Sequence, residues 1–266
     1  MALSLHVMGI VNVTPDSFFA AARTEAADAA TSRGRELFEV GCDVVDVGGE
    51  STRPGAEDVD VHEELARILP VVAELAAYGT VSVDTKKEAV ARAAVAAGAT
   101  IINDVSSTLL HVAGELEVGY VAMHAQGEPK TMQVSPTYEN VVDEVTAFLE
   151  DLAARGRDLG VRPLWIDPGI GFGKTVAHNL ALLASTRRLV DVAERYDAGV
   201  LVGTSRKRFL ENLGEHPLSV DERLEGSIAT EAWAMLEGAS MVRVHDAQAA
   251  VQLRELLVRS LEDVSS

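Results

Sequence analysis

The chain has a single cysteine, Cys42, in the run Val40-Gly41-Cys42-Asp43-Val44. One thiol cannot form an internal disulfide, and a cytoplasmic location is expected. No electropositive neighbour activates Cys42, so an inert buried thiol is expected rather than a nucleophile. Basic residues are scarce as well. There are 23 Lys and Arg against 41 Asp and Glu, a formal net charge of −18. Sequence-independent nucleic-acid binding needs basic surface to meet phosphates, and docking on anionic membranes needs the same sign. The expectation is no nucleic-acid partner and no membrane. A small phosphorylated substrate stays open, because a few local Arg and Lys can outweigh distant acids. Long apolar runs are missing too. No stretch approaches about 18 consecutive apolar residues. Met1-Ala2-Leu3-Ser4-Leu5-His6 lacks the basic start and long apolar run of a signal peptide. No Pro- or Ser-rich linker divides the 266 residues, and 47% of them are hydrophobic. One domain over 1–266 with a sizeable core is expected.

What is present is a regular alternation. Apolar, β-branched runs fall at 5–13, 43–47, 80–84, 100–103, 119–123, 163–166, 199–202 and 240–244. Between them lie Ala/Leu/Glu-rich runs of helical period, near 25–40, 59–77, 86–97, 108–116, 138–160, 177–195, 206–212 with 223–237, and 247–263. Strands alternating with helices indicate a parallel α/β sheet. Val200-Leu201-Val202 is apolar throughout, as suits a strand covered on both faces. Polar residues follow every one of these strands. An open doubly wound sheet would concentrate them near its switch point, whereas a barrel gathers them all at its C-terminal face. The expected fold is a single (β/α)8 TIM barrel.

The strand ends carry the chemistry. The first strand ends at Asn12, whose amide both donates and accepts. The second gives Asp46, then Gly48-Gly49-Glu50-Ser51-Thr52-Arg53-Pro54-Gly55. An Arg held in a Gly-rich loop is a natural fork for phosphate or carboxylate. The third, fourth and sixth strands end in Asp84, Asn103-Asp104 and Asp167. Two carboxylates and an amide aimed at one cavity can hold a flat heterocycle rich in N–H donors. Each could equally be a helix N-cap, Asp84 above all. The seventh strand runs into Gly203-Thr204-Ser205-Arg206-Lys207-Arg208, a strand, turn and helix start suited to an anion. In the eighth, Arg243 and His245 stand two apart and should share a face, a pairing suited to phosphate. A satisfied core histidine is the alternative.

Two familiar motifs fail. Asp167-Pro168-Gly169-Ile170-Gly171-Phe172-Gly173-Lys174-Thr175 is no P-loop, because Pro168 stands where that loop needs its first glycine. Close approach of backbone to a ligand, with Phe172 as an apolar wall, fits better. His62-Glu63-Glu64 is no zinc-protease helix, because Ala66 replaces the second histidine.

In their order along the chain, these runs resemble the dihydropteroate synthase family. The matching segments are 9–18, 46–55, 82–85, 102–105, 123–124, 129–132, 167–174, 205–207 and 243–246. The resemblance implies an eight-stranded α/β barrel that joins 4-aminobenzoate to a pterin methyl diphosphate, releases diphosphate and uses magnesium. Asp84, Asn103, Asp167 and Lys207 would grip the pterin, Met123 and Phe172 would line its faces, and Arg243 would stack or pair nearby. Asn12, Arg53, Arg243 and His245 would meet the diphosphate, with Asn12 also a magnesium ligand. Thr52, Arg53, Pro54, Lys207 and the helix start at Arg208 would form the aminobenzoate end. Asp16, Arg53, Lys207, Arg243 and His245 would carry catalysis. The resemblance also suggests a homodimer, with which the stretch Ala229–Ala239 is compatible.

One departure stands out. The family usually continues its first loop Ser-Phe-Ser-Asp-Gly-Gly; here it reads Ser17-Phe18-Phe19-Ala20-Ala21-Ala22-Arg23. Ala20 replaces an acid, and the nearest remaining carboxylates are Asp16 and Glu25. Three readings follow. The first is an active synthase. The second is a pterin-binding relative without that activity, for which the altered loop is the support. The third is a methyltetrahydrofolate-dependent methyltransferase, which would keep the Asp/Asn/Asp set but have no need of Arg53, Arg243 and His245.

Overall fold

Eight parallel strands close into a barrel in chain order, β1 pairing with both β2 and β8. The computed structural model describes residues 5–13, 20–51, 58–127, 132, 135–213 and 216–265; for 20–25 and 261–265 it describes the backbone alone. The strands are β1 (His6–Asn12), β2 (Val44–Gly48), β3 (Thr80–Asp84), β4 (Ile101–Asp104), β5 (Gly119–Met123), β6 (Leu164–Asp167), β7 (Gly199–Val202) and β8 (Met241–Val244). Each lies close to its apolar run in the sequence. Around them lie α1 (Ala20–Val40), α2 (Val61–Leu75), α3 (Glu88–Ala96), α4 (Leu110–Leu116), α5 (Val141–Asp158), α6 (Val176–Ala184), α7 (Thr186–Glu194), α8 (Leu224–Leu236) and α9 (Ala247–Ser265). Among the described residues no helix is long and apolar enough to cross a membrane.

Strand alternation divides the core in two. Met8, Val44, Ile101, Val121, Trp165, Leu201 and Met241 pack together inside the barrel. The intervening residues, such as Val45, Val83, Ile102, Ile166 and Val202, join a larger cluster shared with the helices. Each fully buried Val, Ile or Leu contributes roughly 1.5–3 kcal/mol, so the two clusters dominate stability. Cys42 is buried, and burial pushes its thiol up to about 11, in keeping with an inert group.

Helix starts follow local capping chemistry. Asp60 caps α2 through the His62 N–H, and Asn140 caps α5 through the N–H groups of Val142 and Asp143. Thr175 and His178 form a reciprocal capping pair at α6. Two expected helices differ. The run 177–195 is not continuous. It breaks at Ser185, and the Thr186 hydroxyl donates to Leu183 O at 2.8 Å, a competing side-chain bond that closes one helix where the next begins. The run 206–212 is a short 3-10 helix, Arg208–Asn212, with Lys207 preceding it in extended conformation.

Candidate active site

Register places the polar strand ends. Asp84 pairs with Gly48 on one side and Asn103 on the other, and Met123 pairs with Asp167. Counting back two residues along each strand reaches members of the interior cluster: Ile101 below Asn103, Val121 below Met123, and Trp165 below Asp167. Residues two apart share a face, so Asn103, Met123 and Asp167 point into the barrel at its C-terminal mouth. By the same rule Asp46 lies inside above Val44, and Arg243 above Met241.

Arg243 ties this interior together. Its Nε donates to Asp46 Oδ2 at 2.6 Å and its Nη2 to Asp84 Oδ2 at 2.8 Å. Asn103 Nδ2 donates to the same Asp46 oxygen at 2.9 Å. Asp84 therefore does not cap a helix: α3 begins with Lys87 at its N-cap and no side-chain cap. Asp104, on the outer face, braces the turn before α4, accepting from the N–H groups of Ser106 and Leu109 and from the Tyr120 hydroxyl. Burial pushes the Asp84 carboxyl up to about 7, against the pull of Arg243 and with a further push from Asp46.

The loop after β6 supplies a second group. Asp167 Oδ1 accepts the Gly169 N–H at 2.7 Å. Gly169, with φ +65°, packs so tightly that a Cβ there would lie 1.9 Å from His124 O. Lys174 threads between the loops after β5 and β6. Its buried ammonium reaches His124 Nδ1 at 3.0 Å and the carbonyls of His124, Gly169 and Phe172 at 3.2, 3.0 and 3.0 Å. Burial lowers His124 to about 3, with Lys174 pushing the same way, so its imidazole stays neutral. Lys207 donates to Ile170 O at 2.6 Å and sits 4.6 Å from the Phe172 ring centroid. Burial lowers Lys207 to about 8, while Asp167 pulls it upward. Asp167 is itself raised by burial, against the pull of Lys207.

The loop after β2 is fixed at its base. Glu50 pairs with Lys86 at 3.0 Å and with Lys87, and Arg67 donates to Gly49 O. Glu64, from the failed protease run, is buried and binds Thr85 Oγ1 and Lys87. Thr52, Arg53 and Pro54 lie outside the described residues, as does Asp16.

At the end of β8 the two residues expected to share a face contact different partners. Arg243 turns to Asp46 and Asp84, while His245 turns to Ser205, its Nδ1 3.3 Å and its N–H nitrogen 3.1 Å from Ser205 Oγ. Arg208 points outward, 78% exposed and 3.6 Å from Glu211. Its neighbour Arg206 forks onto Asp246 at 2.7 and 2.8 Å, tying the loops after β7 and β8.

Sequence reasoning passed over Asp46, Glu50, Lys174 and Ser205. The signal for Asp46 was its place two residues before Gly48 in an otherwise apolar strand, on the inward parity. Lys174 carried none, because its partners are mostly backbone carbonyls.

A cavity of about 440 Å³ opens against Met123 and Phe172, walled also by Lys86, Val105, Ser106 and Phe148. A second, of about 280 Å³, lies beside Asn12 and Arg33. Among the described residues no three His, Cys, Asp or Glu side chains gather as a metal site. Magnesium needs only one or two protein oxygens when substrate phosphates and water complete its shell. The exposed Asn12 amide at the end of β1 fits that role.

Residues 8–245 match the family of pterin binding enzymes. The chain belongs to that family. A dihydropteroate synthase of Escherichia coli strain K12 is 40% identical over 264 residues, spanning 96% of this chain and 92% of that protein. The Xanthomonas albilineans dihydropteroate synthase with 4-aminobenzoic acid superimposes with a TM-score of 0.84 at 42% identity, over 98% of this chain and 93% of the other. The same enzyme in complex with 7,8-dihydropteroate gives 0.82 at 39% identity, over 100% and 95%.

Proposed function

We propose that the protein is a dihydropteroate synthase, a transferase that joins 4-aminobenzoate to a dihydropterin methyl diphosphate and releases diphosphate. The observation that carries this reading is the inward set of Asp84, Asn103 and Asp167 at one mouth, beside Lys207 stacked on Phe172. Two acceptors and an amide complement a pterin edge, whose N–H groups lie side by side. The fold family adds the reaction type, and solved relatives with 4-aminobenzoic acid and with 7,8-dihydropteroate add the substrate and product classes.

In the reaction the bond from the exocyclic methylene to oxygen breaks, and its electron pair leaves with diphosphate. The aryl amine nitrogen forms the new bond to that carbon and then loses a proton. Asp84, Asn103 and Asp167 hold the pterin, with Met123 and Phe172 against its faces. Lys207 serves the pterin edge and the aminobenzoate end. Thr52, Arg53, Pro54 and the turn at Arg208 complete that end. Arg53 and His245 meet the diphosphate, with Arg243 steadying the carboxylates of Asp46 and Asp84, and with Asp16 the acid of the first loop. Magnesium, held by Asn12 and the diphosphate, would neutralise charge on the leaving group. Fixed positive groups aimed at developing negative charge lower the barrier without reorganising. No protein nucleophile is needed.

The methyltransferase reading has no use for a diphosphate end, which Arg53 and His245 argue against. We further propose one pterin-binding domain over 1–266, a cytoplasmic location and a homodimer through α8, whose Trp233 and Leu236 are exposed. Diphosphate release with both substrates, with and without magnesium, tests the activity. No release above background under either condition would leave a pterin-binding relative instead.

A further inference from the structure

Two oxygens buried inside the barrel, Asp46 Oδ1 and Ser82 Oγ, have no hydrogen-bond partner among the described residues. Both residues are fully buried. They are direct register partners on the parallel strands β2 and β3, so their side chains leave the sheet on the same face. The neighbours in register on either side are Ile10 on β1 and Ile101 on β4, which have no side-chain polar group to offer. Asp46 cannot turn to relieve itself. Its other oxygen already accepts from Arg243 Nε at 2.6 Å and Asn103 Nδ2 at 2.9 Å. A buried carboxylate oxygen left unpaired is costly, and native interiors satisfy such atoms with protein or ordered water.

Adjacent strands lie about 4.8 Å apart, a separation at which one small molecule can reach both side chains. The group required must donate to the carboxylate and exchange a hydrogen bond with a hydroxyl. Water does both, and buried waters characteristically make two to four such bonds. Above Asp46 on the same face is Gly48, which adds no side chain, and a Cβ there would meet Asp84 at 3.4 Å, so Asp84 roofs this layer.

We propose that one water molecule is bound inside the barrel between Asp46 Oδ1 and Ser82 Oγ, one layer beneath Asp84 and Asn103. It completes the coordination of Asp46, and Asp46 then holds Arg243 and Asn103 in place. Ser82 and the water are positioning elements for the pterin site. This consequence rests on the functional reading above; the water itself does not.

A crystal structure of the ligand-free whole protein, at a resolution that orders solvent, tests the site directly. The expected result is one water within hydrogen-bond distance of both oxygens, lost or displaced in Ser82→Ala. Both oxygens found bonded to protein groups would overturn the proposal. For the positioning role, Ser82→Ala should raise the KM for the pterin diphosphate about fivefold, the loss of one hydrogen-bonded anchor, leave the KM for 4-aminobenzoate unchanged, and lower the Tm because Asp46 Oδ1 loses its partner. An unchanged pterin KM with the water gone would overturn that role. An ordered water in a protein with no synthase activity would support the site and reject the functional reading.

Discussion

Arg243 Nη2 lies 2.8 Å from Asp84 Oδ2, an ion pair that spans the barrel from β8 to β3 while the same guanidinium holds Asp46 on β2. One cation thus faces two buried carboxylates. That excess of negative charge, together with burial, leaves Asp84 protonatable near neutrality.

Burial pushes Asp84 up to about 7 and lowers Lys207 to about 8. The ionised Asp84 accepts pterin N–H groups, and the protonated Lys207 donates. Pterin affinity should rise as pH climbs through about 7 and fall above about 8. Stability runs the other way. The folded protein holds the Asp84 proton between its ordinary 3.8 and about 7, so this contribution is full below that window and lost as pH rises through it. Asp84→Asn should weaken binding roughly 10- to 100-fold, the loss of a charge-assisted bond, and remove the acid limb. Calorimetry from pH 5.5 to 9 decides it, and a flat wild-type profile would remove Asp84 from the pterin contacts.

Glu231 lies on α8, 1% exposed, with Oε1 unpartnered among the described residues. Burial pushes it up to about 8 from 4.5, with Asp246 adding to the rise. Its folded value exceeds its unfolded value, so the stability linked to this group is present below 4.5 and drains away as pH rises towards 8. Glu231→Gln should remove that slope and stabilise the protein by about 2 kcal/mol at pH 7. Urea unfolding at pH 5 and pH 7.5 measures the difference; equal slopes in wild type and variant would show that the carboxyl has found a partner.

Gly169→Ala would drive a Cβ to 1.9 Å from His124 O at a positive φ. The loop carrying Asp167 and Phe172 must shift, at a cost of about 3 kcal/mol. Gly160→Ala also has a positive φ but meets nothing within 4 Å, so only backbone strain of about 1 kcal/mol is expected. Melting temperatures and pterin KM should separate the two variants, with only Gly169→Ala losing both.

His245→Ala should slow turnover of the diphosphate substrate far more than it weakens binding of a pterin lacking diphosphate. The motivation is the ring's place at the end of β8 against Ser205. Equal losses for the two ligands would mark His245 as a brace for the loop after β7.

Ala20, expected in the first loop at the position where the family resemblance implies an acid, is instead the first residue of α1. If that acid acts in the transition state, Ala20→Asp should raise kcat about tenfold, roughly 1.4 kcal/mol of barrier, with pterin affinity unchanged. Ala21→Gly and Ala22→Gly belong in the same series, since both lie in the first turn of α1 and glycine there loosens the helix start. A wild type as fast as an ordinary synthase, unimproved by any of these, would make the loop departure neutral.

Much of this protein was legible as sequence because its information is local. Strand period, turn residues and helix caps act within a few positions, so eight strands and their polar ends could be read in order, Asp84, Asn103 and Asp167 among them. The helix break at Ser185 and the 3-10 turn at Arg208 were not legible, because side-chain competition and local packing overrode helical propensity there. The partners of the polar residues were beyond reach altogether. Asp46 and Arg243 stand 197 residues apart, and only barrel closure brings them to 2.6 Å. The same closure gives Arg243 its carboxylate partners on β2 and β3, while His245 meets Ser205 after β7. Local chemistry determined which residues enter the barrel; the tertiary structure decided which charges meet there, because in a buried interior each charge must find its partner from another strand.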